Sequence, residues 1–224
     1  MILAVFDFDG TLFPKDTLPF LLSQWRAQKL SRRRLYAAYF GLAGMYVRYK
    51  LKLSGALSRE QMRKTAMQRF TRIFADFTQE DVDAFFAHCA GLIARQLRPN
   101  VERELRKAQQ QGFCTVLLSG GYARLMDYVG GALGFDTVIG TDLHFKDGVV
   151  DASQPLDIVC GEQKAARLRA AFAGQPVDWD NSRAFADSLS DMSILELVGQ
   201  PIVVNPDKGL KAVVIKKNWP VLGE

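Results

Sequence analysis

Two aspartates, Asp7 and Asp9, stand two residues apart at the end of the apolar run ILAVFDFDGTL. Two more, Asp187 and Asp191, follow the apolar segment RAFA at 183–186. Between these pairs lie Ser119-Gly120-Gly121, at the end of FCTVLL, and Lys164, in a helix-like stretch that begins near Glu162. Carboxylates are hard oxygen ligands suited to Mg²⁺, which takes few protein carboxylates together with the phosphate oxygens of a substrate. A serine hydroxyl and the amides after it, where a helix opens, hydrogen-bond phosphate oxygens. A lysine ammonium neutralises the same group as a point charge. Singly, each residue has an ordinary reading, since Asp favours turns and caps at strand ends. Ser-Gly-Gly can open any helix, Thr11 can be a plain loop hydroxyl, and a helical lysine is usually solvated. Together and in this order, they predict metal-assisted chemistry on a phosphate group.

The elements that must position them alternate. Ile2–Phe6 reads as a buried strand, and Phe113–Leu118, Thr137–Gly140, Arg183–Ala186 and Pro201–Val204 read as four more. Helices are expected over Val101–Gln111, Tyr122–Leu133 and Glu162–Phe172, with a short one before the fifth strand and a last one from Lys208. Lys146-Asp147-Gly148 predicts a hairpin turn within Leu143–Val150. Strands alternating with helices imply a mostly parallel sheet covered on both faces. In such sheets the ligand sits beyond the carboxyl ends of the strands. Three of the four polar clusters follow strands, so this rule gathers them at one sheet edge.

Between the first two strands the pattern is helical throughout. Asp16 is placed to cap a helix with Leu18, Leu21, Leu22 and Trp25 on one face. Leu35–Val47 is apolar nearly all round and predicts a buried helix. Ser58 and Gln61 form a capping-box pattern ahead of Met62, Ala66, Phe70 and Ile73. Thr78 starts a further helix that buries Val82, Phe85, Phe86, Cys89 and Ile93.

The 224 residues are 48% hydrophobic and 24% charged, which suits a soluble globular chain of one or two domains. No apolar run reaches the roughly 18 residues of a membrane span. Met1 leads straight into the first strand, so no secretory leader is expected. Three widely spaced cysteines match no zinc pattern and fit a reducing cytoplasm. His88 and His144 have no metal-like or triad-like neighbours and read as structural. From Arg26 to Arg72 there are thirteen Lys/Arg and one acid, Glu60. That segment carries +12 against a whole-chain +5, which leaves −7 for the rest. The asymmetry suggests an anionic partner or a solvated basic face. No nucleic-acid-binding motif accompanies the charge, so nucleic acid is not expected as a partner.

DFDGTL at 7–12, LLSGG at 117–121, Lys164 in GEQK and ADSLSD at 186–191 resemble, in order and spacing, the four motifs of the haloacid dehalogenase superfamily. The large helical insertion and the SGG sequence resemble its phosphoserine-phosphatase-like branch. The resemblance implies a Rossmann-like parallel-sheet core formed by residues 1–15 and 98–224, with an inserted all-helical cap over residues 16–97. It also implies a Mg²⁺-dependent phosphatase. Asp7 would be the nucleophile that forms an aspartyl-phosphate, and Asp9 the general acid and base. Asp7, the backbone carbonyl of Asp9 and Asp187 would hold the metal, with Asp191 orienting the site. Thr11, Ser119, Gly120 and Lys164 would serve the phosphate subsite, and Asp16 aligns with an acidic substrate-contact position. Ala186 departs from the family's glycine, and Ser190 stands where phosphoserine phosphatases carry asparagine. Within the superfamily, a dehalogenase lacks the second aspartate and ATPases carry threonine there, so Asp9 implies a phosphatase.

The leading expectation is a cytoplasmic enzyme acting on a small-molecule phosphate ester. An alternative with the same chemistry is a lipid-phosphate phosphatase, such as one acting on phosphatidylglycerophosphate. There SRRR and RYKLK, flanking an apolar stretch, would make peripheral contact with an anionic membrane. A third is a non-catalytic phospho-receiver module, whose phosphorylated Asp however follows the third strand.

Overall fold

The computed structural model describes residues 1–38, 40, 44 and 59–223. β1 (Leu3–Asp7) leads through helices α1 (Thr17–Ala27), α2 (described over 32–38), α3 (Arg59–Thr71) and α4 (Gln79–Ile93) to α5 (Pro99–Gln110). β2 (Cys114–Tyr122), α6 (Ala123–Leu133) and β3 (Thr137–Thr141) follow, then an antiparallel hairpin of β4 (Phe145–Lys146) and β5 (Val149–Val150). The chain finishes with α7 (Glu162–Ala171), β6 (Arg183–Ala186), α8 (Met192–Leu195), β7 (Gln200–Val204), α9 (Lys208–Lys217) and β8 (Val221–Leu222).

Six strands form one parallel sheet in the order β3-β2-β1-β6-β7-β8. The chain builds outward from β1 to β3, then returns to place β6 on the other side of β1. The strand order therefore reverses at β1, which is where such sheets open a ligand crevice. Register sets the functional positions level with one another. Asp7 pairs with Leu118, one residue before Ser119, and Phe6 pairs with Phe185, two residues before Asp187.

β1 is buried on both faces. Ala4 and Phe6 enter one hydrophobic cluster, while Leu3 and Val5 enter the other. The first cluster runs without a break into the helices between β1 and β2. Trp25, Phe70, Phe74, Phe85 and Phe86 pack with Tyr122 at the end of β2, and the Phe86 and Tyr122 rings stack at 5.4 Å. Tyr122 also shares a buried hydrogen bond of 2.8 Å with Thr71. The start of α4 is fixed by a capping box in which Thr78 and Asp81 exchange bonds of 3.0 and 3.1 Å.

Three local expectations differ from the structure. Ser119-Gly120-Gly121 does not open a helix. β2 continues to Tyr122, with two more residues between Leu118 and Tyr122 than β3 has between their partners Ile139 and Thr141. Asp16 occupies the cap position of α1 in extended conformation, but its side chain makes no capping bond. β8, a two-residue sixth strand, was not foreseen. Of the expected helix over Leu35–Val47, residues 39, 41–43 and 45–47 lie outside the described residues. Ser58 of the expected capping box and the RYKLK segment at 48–52 lie outside them too.

Candidate active site

Asp7 ends β1 with its side chain at the sheet's carboxyl edge, almost fully buried. Its Oδ1 accepts a 2.5 Å bond from Lys164 Nζ, and its Oδ2 a 3.1 Å bond from Thr11 Oγ1. Both carboxylate oxygens are thereby oriented. The chain then turns sharply through Gly10, at φ +82°, where a Cβ would collide with the Asp187 carboxylate. Only glycine combines that backbone with that close approach. Arg98 fastens the loop, its amide donating to Leu12 O at 2.9 Å and its Nε to Gly10 O at 3.3 Å.

Lys164 is buried in α7 and bridges Asp7 and Asp191, 2.5 Å from an oxygen of each. Burial opposes its charge, but Asp191 and Asp7 outweigh burial and hold the ammonium above its usual range. Asp191 also accepts from Ser188 Oγ at 2.6 Å. Ligand oxygens of Asp7, Asp187 and Asp191 lie within 4.8 Å of one another. Burial first, then the charges of Asp7 and Asp191, push the Asp187 carboxyl up to about 7. For Asp7, burial and the Asp191 charge raise the carboxyl against the lowering effect of Lys164. Three crowded carboxylates with hard oxygen donors fit a small divalent cation such as Mg²⁺.

Asp9 faces elsewhere. Its Oδ1 accepts from the Thr17 amide at 3.0 Å and also from the Thr17 hydroxyl. It thus satisfies the first amide of α1, whereas a capping Asp16 would accept from the second or third. Burial, with smaller contributions from Asp7 and Asp16, pushes the Asp9 carboxyl up to about 7 although the Thr17 bond opposes it.

Ser119 is buried and accepts from the Gly121 amide at 2.9 Å. A Cβ on Gly120 would lie 3.0 Å from Val159 O, so the bulged strand packs closely against the segment ahead of α7. Asp7, Asp9, Asp16, Ser119, Gly120, Lys164 and Asp191 all line one cavity of about 440 Å³. Thr11 does not reach it. Thr11 is fully buried, and its hydroxyl serves Asp7 and, at 3.5 Å, Asp187. It orients carboxylates rather than holding substrate.

Sequence reasoning missed Arg63. From α3 it lines the same cavity, donates to Ser190 Oγ at 3.2 Å and lies 3.8 Å from Asp16. Burial works against its charge, but Asp191, Asp7, Asp9 and Asp16 together raise it. By residue type it is one of thirteen cations in residues 26–72. The one signal available was its place beside Met62, on the helix face that meets the core.

The sequence profile of the haloacid dehalogenase-like hydrolases matches residues 4–196. The "inhibition of morphological differentiation protein" of Streptomyces azureus is 27% identical, over 98% of this chain and 77% of its own. A histidinol-phosphatase of Neisseria meningitidis serogroup C is 26% identical, over 98% and 97%. Among solved structures, a protein of unknown function from Bordetella pertussis Tohama I superposes with a TM-score of 0.80 at 21% identity, over 98% of this chain and 97% of that one. A substrate-bound phosphoserine phosphatase superposes with a TM-score of 0.62 at 17% identity, over 94% and 89%. These two share the fold. With the family's sequence matched over most of its length and its four motifs gathered at one sheet edge, the chain belongs to the haloacid dehalogenase-like hydrolases.

Proposed function

We propose that the protein is a Mg²⁺-dependent phosphomonoesterase that works through a covalent phosphate on Asp7. The observation that carries this reading is the setting of Asp7. A carboxylate with both oxygens oriented, by Lys164 and Thr11, faces a cavity shared with a second carboxylate, Asp9. A receiver module does not fit, because this aspartate follows the first strand and the chain is a hydrolase-family member.

Asp7, Asp187 and Asp191 are the side chains that would hold the ion, with the Asp9 carbonyl contributing by family resemblance. When bound, it supplies positive charge against the transferring phosphoryl oxygens. Asp7 attacks phosphorus, the ester P–O bond breaks, and the leaving alcohol takes a proton from Asp9. Asp9 then takes a proton from water, which attacks the acyl phosphate, releases inorganic phosphate and frees Asp7. A carboxyl at about 7 is partly protonated near neutrality and suits both duties. Ser119 accepts from Gly121, so its own hydroxyl proton can donate to a phosphate oxygen. Lys164 balances the charge of Asp7 and the incoming group.

The substrate we infer is a small phosphate ester, a reading the relative named histidinol-phosphatase supports for the reaction and not for the alcohol. Asp16 lines the cavity exposed, 3.8 Å from Arg63, and makes no capping bond. The test is a panel of phosphate monoesters, lipid phosphates included, with Mg²⁺ and with EDTA. Magnesium-dependent turnover is expected, and it should vanish in Asp7→Asn. Turnover that survives exhaustive chelation, or the loss of Asp7, would contradict the reading.

A further inference from the structure

The cavity has a lining of two kinds. The carboxylates, Ser119 and Lys164 occupy the sheet edge, and Arg63 is drawn to that edge by Ser190 and Asp16. The same cavity is also lined by a run of apolar side chains, a wall that includes Leu18 and Leu22 on α1, Met62, Ala66 and Met67 on α3, and Ile158 ahead of α7. Leu18 and Leu22, like Met62 and Ala66, are four residues apart, so each helix presents one row to the cavity. Leu22, Met67 and Ile158 are buried, while Leu18, Met62 and Ala66 are half-buried. The cavity's roughly 440 Å³ falls within the range of about 300–1,000 Å³ typical of pockets that hold ligands larger than a phosphate group.

We propose that this wall is a subsite for an apolar leaving group, so that the preferred substrates are phosphate monoesters of alcohols bearing an aliphatic or aromatic body. The inference rests on the phosphatase reading and goes beyond it by assigning the leaving-group class. A hydroxyl-rich or ionic alcohol laid against Leu18, Leu22, Met62, Ala66, Met67 and Ile158 would shed its water against side chains that offer no hydrogen bond, which is unfavourable. An apolar body removes both surfaces from water and gains with every methylene. The two methionines allow bodies of different shape to be accommodated. The competing role for the wall is to keep water from the phosphoenzyme, which would make the site indifferent to chain length.

The test is a series of primary n-alkyl phosphates from ethyl to hexyl, with glycerol 1-phosphate as the polar match for propyl phosphate. Primary alkoxides differ little as leaving groups, so chain length reports contact rather than chemistry. The expected result is about a fourfold rise in kcat/KM per methylene until the wall is covered, mainly through KM. Glycerol 1-phosphate should fall at least tenfold below propyl phosphate. Met62→Gln, at a half-buried position that tolerates the change, should lower the hexyl-to-ethyl ratio several-fold. A flat series, or glycerol 1-phosphate at or above propyl phosphate, would overturn the proposal while leaving the phosphatase reading intact. Binding of n-alkylphosphonates, followed by calorimetry, separates the two claims. If no ester is turned over but phosphonate affinity still climbs with chain length, the catalytic reading fails and the apolar subsite stands.

Discussion

Asp7 and Asp9 differ by two positions and share a side chain, yet their surroundings divide them. Asp7 is clamped between Lys164 and Thr11, whereas Asp9 turns toward the first amide of α1. Gly10 makes the division possible by turning the loop at φ +82° directly against Asp187. Gly10→Ala should therefore cost activity by at least tenfold and lower the apparent Mg²⁺ affinity, as read from a metal titration of turnover. Asp187 makes a sharper test because its carboxyl is raised to about 7. A raised carboxyl favours the protonated folded state. Its contribution to stability is present below its unfolded value and is lost as pH rises toward about 7. In the absence of metal, Asp187→Asn should melt higher than wild type at about pH 8, with the gap closing toward about pH 4, while losing activity. A melting difference that does not change with pH would contradict the raised Asp187 carboxyl. The motif residues were legible because, although each is ordinary alone, they stand together in one order, three of the four clusters at strand ends and Lys164 in a helix. Arg63 was not, because its role depends on which side of α3 meets the core, and that is set by tertiary packing.

At the scale of elements, α4 could be read almost residue for residue. A Thr78 capping box precedes it, and its apolar positions repeat at helical spacing. The apolar run alone predicts a strand ending at Leu118, whereas β2 continues to Tyr122. Ser-Gly-Gly fits a helix opening or a bulge equally well, and only pairing with β3 selects the bulge. β8 escaped because two residues after a left-handed Asn218 carry no period. The aromatic cluster around Tyr122 ties the inserted helices to the sheet, and its polar link is the Thr71 bond. Thr71 Oγ1 donates to Met67 O at 2.9 Å, so the Tyr122 hydroxyl is the donor to Thr71. Tyr122→Phe should lower stability by about 0.5–1.5 kcal/mol in urea denaturation. Phe74→Ala, which empties the centre of the cluster, should cost about 3–5 kcal/mol.

For the molecule as a whole, the +12 carried by residues 26–72 is not all available to a partner. Arg34 fastens α2 to the turn after α3, donating to the carbonyls of Ile73 and Ala75 and pairing with Asp76 at 3.2 Å. Its charge could be counted in the sequence, but its employment could not. Arg32 and Arg33 are exposed, so they are the pair that tests the basic face. Arg32→Glu with Arg33→Glu should change kcat/KM for a soluble ester by no more than about twofold at physiological salt, where screening acts within about 8 Å. Neither wild type nor the double variant is expected to co-sediment with anionic vesicles. Wild-type binding that the double variant loses would assign this face to a lipid surface instead. Among the described residues, no helix is long and apolar enough to cross a membrane.

The central claim is that phosphate passes through Asp7, and the most direct measurement is the mass of a trapped intermediate. Asp9→Asn should slow the second step more than the first when the leaving group is a good one, because an aryl oxide needs little acid help. Brief incubation with p-nitrophenyl phosphate and Mg²⁺, an acid quench and peptide mass spectrometry should then find one phosphoryl group on the peptide containing Asp7. Slow but measurable turnover with no phosphoryl group on Asp7, or with the group on another residue, would contradict the account.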